Sequence, residues 1–185
     1  EMRLKLIEKA EAATSFVHPN MIRLLEVEQV DDRILCAMEL VYGENALKRI
    51  KSKGRMSPKE AVKIGLDVTD ALQQAYASGI THCEVTPGSI FITAEGVTKL
   101  VCVGFTAPMI GAVVSGSRED KFVAAICYAA PEMIEDPLHS DPRTFVYGIT
   151  ATLYHLVTGR PPFFAKTATA CMEKIRDRYP AAPIS

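Results

Sequence analysis

No stretch of the sequence approaches the roughly 18 consecutive apolar residues that suggest a membrane-spanning helix. The best candidate, Phe145 to Val157, is too short and contains His155. The opening Glu-Met-Arg-Leu-Lys lacks the apolar core of a signal peptide. A chain that begins on Glu1 in a helical pattern is expected to be a piece of a longer protein. There is no C-x-x-C pair: the five cysteines Cys36, Cys83, Cys102, Cys127 and Cys171 are scattered at irregular spacing. That argues against a disulfide framework or a zinc site, and for buried reduced thiols in a cytoplasmic, reducing compartment. Charge of one sign is also lacking. With 21 basic and 22 acidic residues the formal net charge is −1, which argues against a nucleic-acid or membrane-surface protein. What is present, 48% hydrophobic and 23% charged residues over 185 positions, excludes a disordered or low-complexity chain and suits one globular core.

Leu4, Ile7, Ala10 and Ala13 repeat at helical spacing and predict a helix over 1–17, ended by His18-Pro19-Asn20. Two β-rich runs, Met21 to Val30 and Arg33 to Leu40, flank Asp31-Asp32 and read as a hairpin. A short helix is expected after Gly43. Ser57-Pro58-Lys59-Glu60 is a capping box with proline at the first helical position, and Gly79 marks the stop of that helix. Short strands follow over 90–93 and 98–103. The stretch from Phe105 to about Ala129 has little periodicity and reads as a long irregular segment. Asp141-Pro142 caps a helix that is apolar on most sides through Val146, Ile149, Leu153, Leu156 and Val157 and stops at Gly159. Such a helix is expected in the middle of a core. A last, weak helix spans about Ala168 to Arg176.

Five pieces of sequence carry a resemblance. They are His18-Pro19-Asn20-Met21-Ile22-Arg23-Leu24-Leu25, Met38-Glu39-Leu40, His82 through Ile90, Ala130-Pro131-Glu132, and Tyr154 through Phe163. In this order and spacing they resemble the eukaryotic-type serine/threonine protein kinase family. The resemblance implies an α+β, protein kinase-like fold. Residues 1–41 would form a partial small lobe (αC helix, β-hairpin and hinge), and 42–185 a mainly helical, partial large lobe reaching about the αG helix. The family's glycine-rich loop and the strand lysine that hold ATP phosphates would then lie outside this chain; no G-x-G-x-x-G occurs in it.

Phosphoryl transfer needs a carboxylate to orient the hydroxyl nucleophile and metal ligands to neutralise the phosphates. The family's His-Arg-Asp corresponds to His82-Cys83-Glu84, its catalytic-loop lysine to Thr86 and its metal-binding asparagine to Ser89. Glu84 keeps the charge but adds a methylene; read blandly, it is a solvated loop carboxylate. A Cys83 nucleophile beside His82 is disfavoured, because neighbouring side chains in an extended segment point apart. The family's Asp-Phe-Gly corresponds to Cys102-Val103-Gly104, and cysteine is a soft donor mismatched to Mg²⁺. Between Val101 and Val103, Cys102 reads more simply as a buried strand thiol. The αC glutamate position holds Lys9, the supporting central-helix aspartate position holds Phe145, expected to pack in the core, and the family's Gly-Thr appears as Ala124-Ala125.

No catalytic position is intact and no metal site is expected. The resemblance leaves an adenine pocket of low specificity at Met38, Glu39, Val41 and Phe91, residues that also serve as plain core. No cofactor is expected to be held, beyond weak ATP binding that does not depend on Mg²⁺. Lys48, Arg49, Lys51, Lys53 and Arg55 form a basic run, either a solvated helix face or an attractor of an acidic partner. The function these substitutions imply is a catalytically inactive kinase-like domain, a pseudokinase and not an enzyme, acting in binding, scaffolding or regulation. A protein partner or attached domain would cover the small-lobe remnant, with no nucleic acid and no membrane span. The alternatives are an active serine/threonine kinase whose missing parts lie outside this chain, and a decayed remnant with neither activity nor partner.

Overall fold

The computed structural model describes residues 2–31, 33–104, 125–136, 139 and 141–177, with the side chains of 2–6 left aside. Most of the expected irregular segment, including Phe105 and Ala124, lies outside the described residues. Helix α1 (Met2–Thr14) precedes an antiparallel hairpin of β1 (Leu24–Val30) and β2 (Arg33–Met38). Asp31 takes φ 52° at the turn, a conformation that Asp tolerates better than most residues. Both strands are shorter than expected. Met21 leaves the hairpin to bridge Leu100 in parallel, and the amide of Ile22 donates to the Leu100 carbonyl at 2.8 Å.

A second, three-stranded antiparallel sheet in the order β3-β4-β5 joins β3 (Gly43–Asn45), β4 (Ile90–Thr93) and β5 (Thr98–Leu100). Strand β3 escapes the sequence reading. Gly43 makes it possible: a Cβ there would sit 2.3 Å from the Ile92 carbonyl oxygen, so only glycine lets the two backbones approach. Helix α2 (Ala46–Lys53) follows directly, its N-terminus capped by Asn45, whose Oδ1 accepts from the Lys48 amide at 2.8 Å. The basic run is largely a solvated face: Arg49 pairs with Glu60 at 2.5 Å and Lys53 with Glu44 at 2.7 Å.

Helix α3 (Pro58–Ala77) carries the full capping box, with the Glu60 amide on Ser57 Oγ at 3.3 Å and the Ser57 amide on Glu60 Oε2 at 3.1 Å. It buries Ile64, Val68, Leu72 and Ala75. A single turn, α4 (Pro131–Glu135), precedes α5 (Pro142–Thr158), and α6 (Ala168–Arg176) ends the described chain. Helix α5 is less apolar around its circumference than its sequence suggests. Val146 is 63% exposed, while the buried face combines Phe145, Leu156 and Ala151 with Thr144, Thr152 and His155. Phe145 packs edge-on against Tyr76. One hydrophobic cluster runs from Ala10 and Leu24 through Ile64, Leu72, Ile90 and Leu100 to Leu156; a smaller one gathers Ile126, Tyr128, Cys171 and Ile175.

Candidate active site

The loop 82–89 runs between the C-terminus of α3 and β4, and side chains from two directions fix its backbone. From α5, Thr152 Oγ1 donates to the Val85 carbonyl at 2.9 Å, and Gly148 of the same helix lies beside Val85. Thr152 thereby supports the loop backbone, a task the resemblance assigns to the Phe145 position. From within the loop, Ser89 Oγ donates to the Glu84 carbonyl at 2.8 Å and accepts from the Thr86 amide at 3.0 Å. Thr86 Oγ1 in turn accepts from the Ser89 amide at 3.3 Å. Thr86 and Ser89 therefore act as a local clasp that closes a tight turn. Beyond the loop, the Val101 amide donates to the Ser89 carbonyl at 2.8 Å and locks this turn to the end of β5.

Glu84 is half-buried and lines a cleft whose other walls are Val85, Ala125, Tyr128, Met133 and Thr144. A half-buried residue that lines a cleft is not the fully solvated loop carboxylate its sequence context suggests. His82 is 2% exposed and its Nδ1 has no hydrogen-bond partner. Burial above all, reinforced by the charge of Lys9, pushes its pKa down to about 4. It is thus a neutral core histidine at physiological pH.

Cys83 and Cys102 are joined by a disulfide, with their Cα atoms 5.1 Å apart, well within the span such a bridge requires. This corrects two expectations. The cysteines are not all reduced: Cys36, Cys127 and Cys171 are thiols, and the other two are paired. Cys102 is also not a strand thiol, because β5 ends at Leu100 and Cys102 lies in the segment that follows. With one pair oxidised, the cysteine pattern no longer argues for a reducing compartment. The segment then turns at Gly104, which has φ +77° and faces α1; a Cβ there would lie 2.5 Å from the Lys9 carbonyl oxygen. Lys9 itself is half-buried, and that burial lowers its pKa.

The two positions that would hold a metal do not fit Mg²⁺. The Cys102 sulfur is bonded to Cys83, and the Ser89 hydroxyl is engaged by the loop backbone. Among the described residues no group of three His, Cys, Asp or Glu side chains could hold a metal ion. At the expected hinge, Met38 and Val41 flank Glu39, whose carboxylate accepts from Lys99 Nζ at 2.5 Å and from the Arg23 amide at 3.1 Å. The Lys99 hydrogen bond holds the Glu39 carboxyl below its usual value. Phe91 is the register partner of Lys99 across β4 and β5, so the two share a sheet face. The ion pair ties the hinge to the sheet that carries Phe91, a link with no signal in the sequence.

Comparison with known proteins accounts for this arrangement. The protein kinase domain family matches residues 4–183. A probable serine/threonine-protein kinase of Clostridium perfringens is 33% identical over 84% of this chain and 22% of its own length. Sperm motility kinase 1 of Mus musculus is 28% identical over 97% of this chain and 36% of its own. The crystal structure of Rad53 1–466 in complex with AMP-PNP superposes with a TM-score of 0.70 at 20% identity, covering 93% of this chain and 42% of that one. The chain thus spans between about a fifth and two fifths of the length of these proteins. No helix among the described residues is long and apolar enough to cross a membrane. The expectation that the protein is not an enzyme is overturned: a protein kinase domain match and relatives named as serine/threonine kinases point to an enzyme. With its helix, hairpin, catalytic-type loop and central α5 in family order, the chain belongs to the protein kinase domain family.

Proposed function

We propose that the protein is a serine/threonine protein kinase that transfers the γ-phosphoryl group of ATP to a protein hydroxyl. Its relatives are named for that activity, and one observation on this chain carries the reading: Glu84 stands at the family's catalytic-loop carboxylate position and lines a cleft. In this role Glu84 accepts a hydrogen bond from the substrate hydroxyl and aims it, while Thr152 and Ser89 hold the loop backbone. An added methylene relative to aspartate shifts the carboxylate by roughly 1 Å, a misplacement that lowers the rate on the order of 10²-fold. Adenine rests between the hinge at Met38, Glu39 and Val41 and the side chain of Phe91. Since Ser89 and Cys102 do not fit Mg²⁺, nucleotide binding at these residues is weak and insensitive to Mg²⁺, and no step is assigned to a metal there.

The test is phosphoryl transfer from labelled ATP to a generic protein substrate by the full protein. Glu84→Gln keeps the size and removes the charge, and is expected to reduce transfer by about 10²-fold or more. Wild-type protein that labels substrate no better than a heat-denatured sample refutes the proposal.

Residues 1–41 and 42–185 are proposed as the two lobes, with a protein partner or attached domain on the first. Among the described residues the β1–β2 sheet has two strands, and Leu25, Leu35 and Met38 stay 54%, 49% and 40% exposed. Two strands are marginal in water, and open edges accept a further strand. Hydrogen exchange on the dilute chain alone should show β1 and β2 amides exchanging much faster than those of α3 and α5. Equal protection would mean that the hairpin needs no cover.

A further inference from the structure

Two sulfur atoms outside the catalytic-type loop lie against each other in the smaller hydrophobic cluster. Cys127 sits on the segment leading into α4, and Cys171 on the first turn of α6. Their sulfurs are 2.8 Å apart, across 44 residues of chain. Both are thiols, 1% and 0% exposed, packed with Ile126, Tyr128, Ala151 and Ile175. We propose that Cys127 and Cys171 form an oxidation site, where a hydroperoxide converts the dithiol into a disulfide that ties the segment before α4 to α6.

The two thiols are not equivalent, which gives the reaction its direction. The hydrogen bond between the two sulfurs holds Cys171 below its ordinary pKa against the effect of burial, helped by the Ala165 backbone and the nearby Lys174, although its thiol also donates to the Phe163 carbonyl at 2.7 Å; the same bond with burial pushes Cys127 up. Lys174 is fixed by donating to the Phe164 carbonyl at 2.8 Å. The thiolate is the nucleophile in sulfur oxidation. Cys171 sulfur attacks one peroxide oxygen, the O–O bond breaks, and the departing hydroxide or alkoxide takes a proton to leave as water or alcohol. Cys171 is then a sulfenic acid. Cys127 sulfur attacks the sulfur of Cys171, the S–O bond breaks, and hydroxide leaves as water with the Cys127 proton. Two thiols lose two electrons in all and the peroxide gains them. The resolving sulfur already lies in contact, so the second step outruns further oxidation. Cys36 lacks these features: burial raises its pKa, and it is not part of a sulfur pair.

The full protein is treated with hydrogen peroxide at a small molar excess, alkylated and digested with trypsin without reduction. The expected product is a linked pair of the peptides 122–143 and 167–174, which carry Cys127 and Cys171. The Cys83–Cys102 bridge reports separately as the peptides 64–99 and 100–118. Closing a loop of this length raises the melting temperature on the order of 10 °C. Cys171→Ser should abolish both the linked peptide and the rise. Should that variant fail to fold, the peptide map of the unaltered protein still decides. Cys171 recovered as sulfinic acid with no linked product, both thiols recovered unchanged, or Cys36 consumed first, would overturn the proposal.

Discussion

Reducing the Cys83–Cys102 disulfide should destabilise the protein by about 3 kcal/mol, the loop-closure entropy for a bridge across a sequence separation of 19. The bridge does more than close a loop. It pins the catalytic-type loop to the segment after β5, and two residues later Gly104 seats that segment on the backbone of α1. Releasing it frees Cys102 and loosens the loop that carries Glu84, so the phosphoryl transfer proposed for this loop should fall along with stability. Urea unfolding with and without dithiothreitol measures the first effect. A double variant, Cys83→Ser with Cys102→Ser, separates this bridge from any other thiol: its midpoint should match the reduced protein and show no further response to reductant. An unchanged midpoint on reduction of the wild type would mean that the bridge contributes nothing.

The parts of the fold most legible in the sequence are those set by neighbours along the chain. Helix α3 announces itself through Ser57, Pro58 and Glu60, and all three do in the structure what their spacing implies. Helix α5 begins at the Asp141 cap and ends at Gly159, φ +76°, as its flanking residues require. Helix α6 spans the expected Ala168 to Arg176. Features that depend on distant residues were silent. Strand β3 exists because Gly43 meets Ile92, and neither position signals the other. Thr152 reaches Val85 across 67 residues, and Lys99 meets Glu39 through folding alone.

The site was partly legible for the same reason. The motifs placed His82, Glu84, Ser89 and Cys102 in one family register, and the structure does gather their segments around α5 and β5. What the side chains do there was not legible. Ser89 and Thr86 read as failed metal and phosphate ligands, yet their short polar side chains form a clasp that fixes the Glu84 backbone. Cys83 and Cys102 read as two unrelated thiols, because a separation of 19 residues has no motif value until the chain is folded. Inferring inactivity from the joint loss of the metal and phosphate positions missed both effects, and gave too little weight to the carboxylate that Glu84 keeps.

Acidification from about pH 6.5 to 4.5 should weaken the protein by about 2–3 kcal/mol through His82 alone. Its folded pKa of about 4 lies below the ordinary 6.5, so the unfolded chain binds the proton more readily. Stability from this group is therefore complete above the unfolded value and is lost as pH falls toward the folded one. The cause is structural. The ring is 2% exposed, Nδ1 has no acceptor to stabilise a proton, and Lys9 and His139 oppose a positive charge that Asp136 favours only in part. His155 adds to the slope in the same direction, since burial also lowers its pKa, and its Nδ1 lies 2.5 Å from the Tyr128 hydroxyl. The carboxylates held low by their partners, Asp141 at about 2 beside Arg143 and Glu39 below its usual value beside Lys99, contribute mainly at more acidic pH. The measurement is the urea midpoint at half-unit pH steps, for wild type and His82→Gln. The wild type should lose stability steeply across this window, and the variant should retain only the shallower slope from His155. Parallel curves for the two proteins would show that His82 takes up its proton in the fold as readily as in the unfolded chain, and that its burial does not govern the acid response.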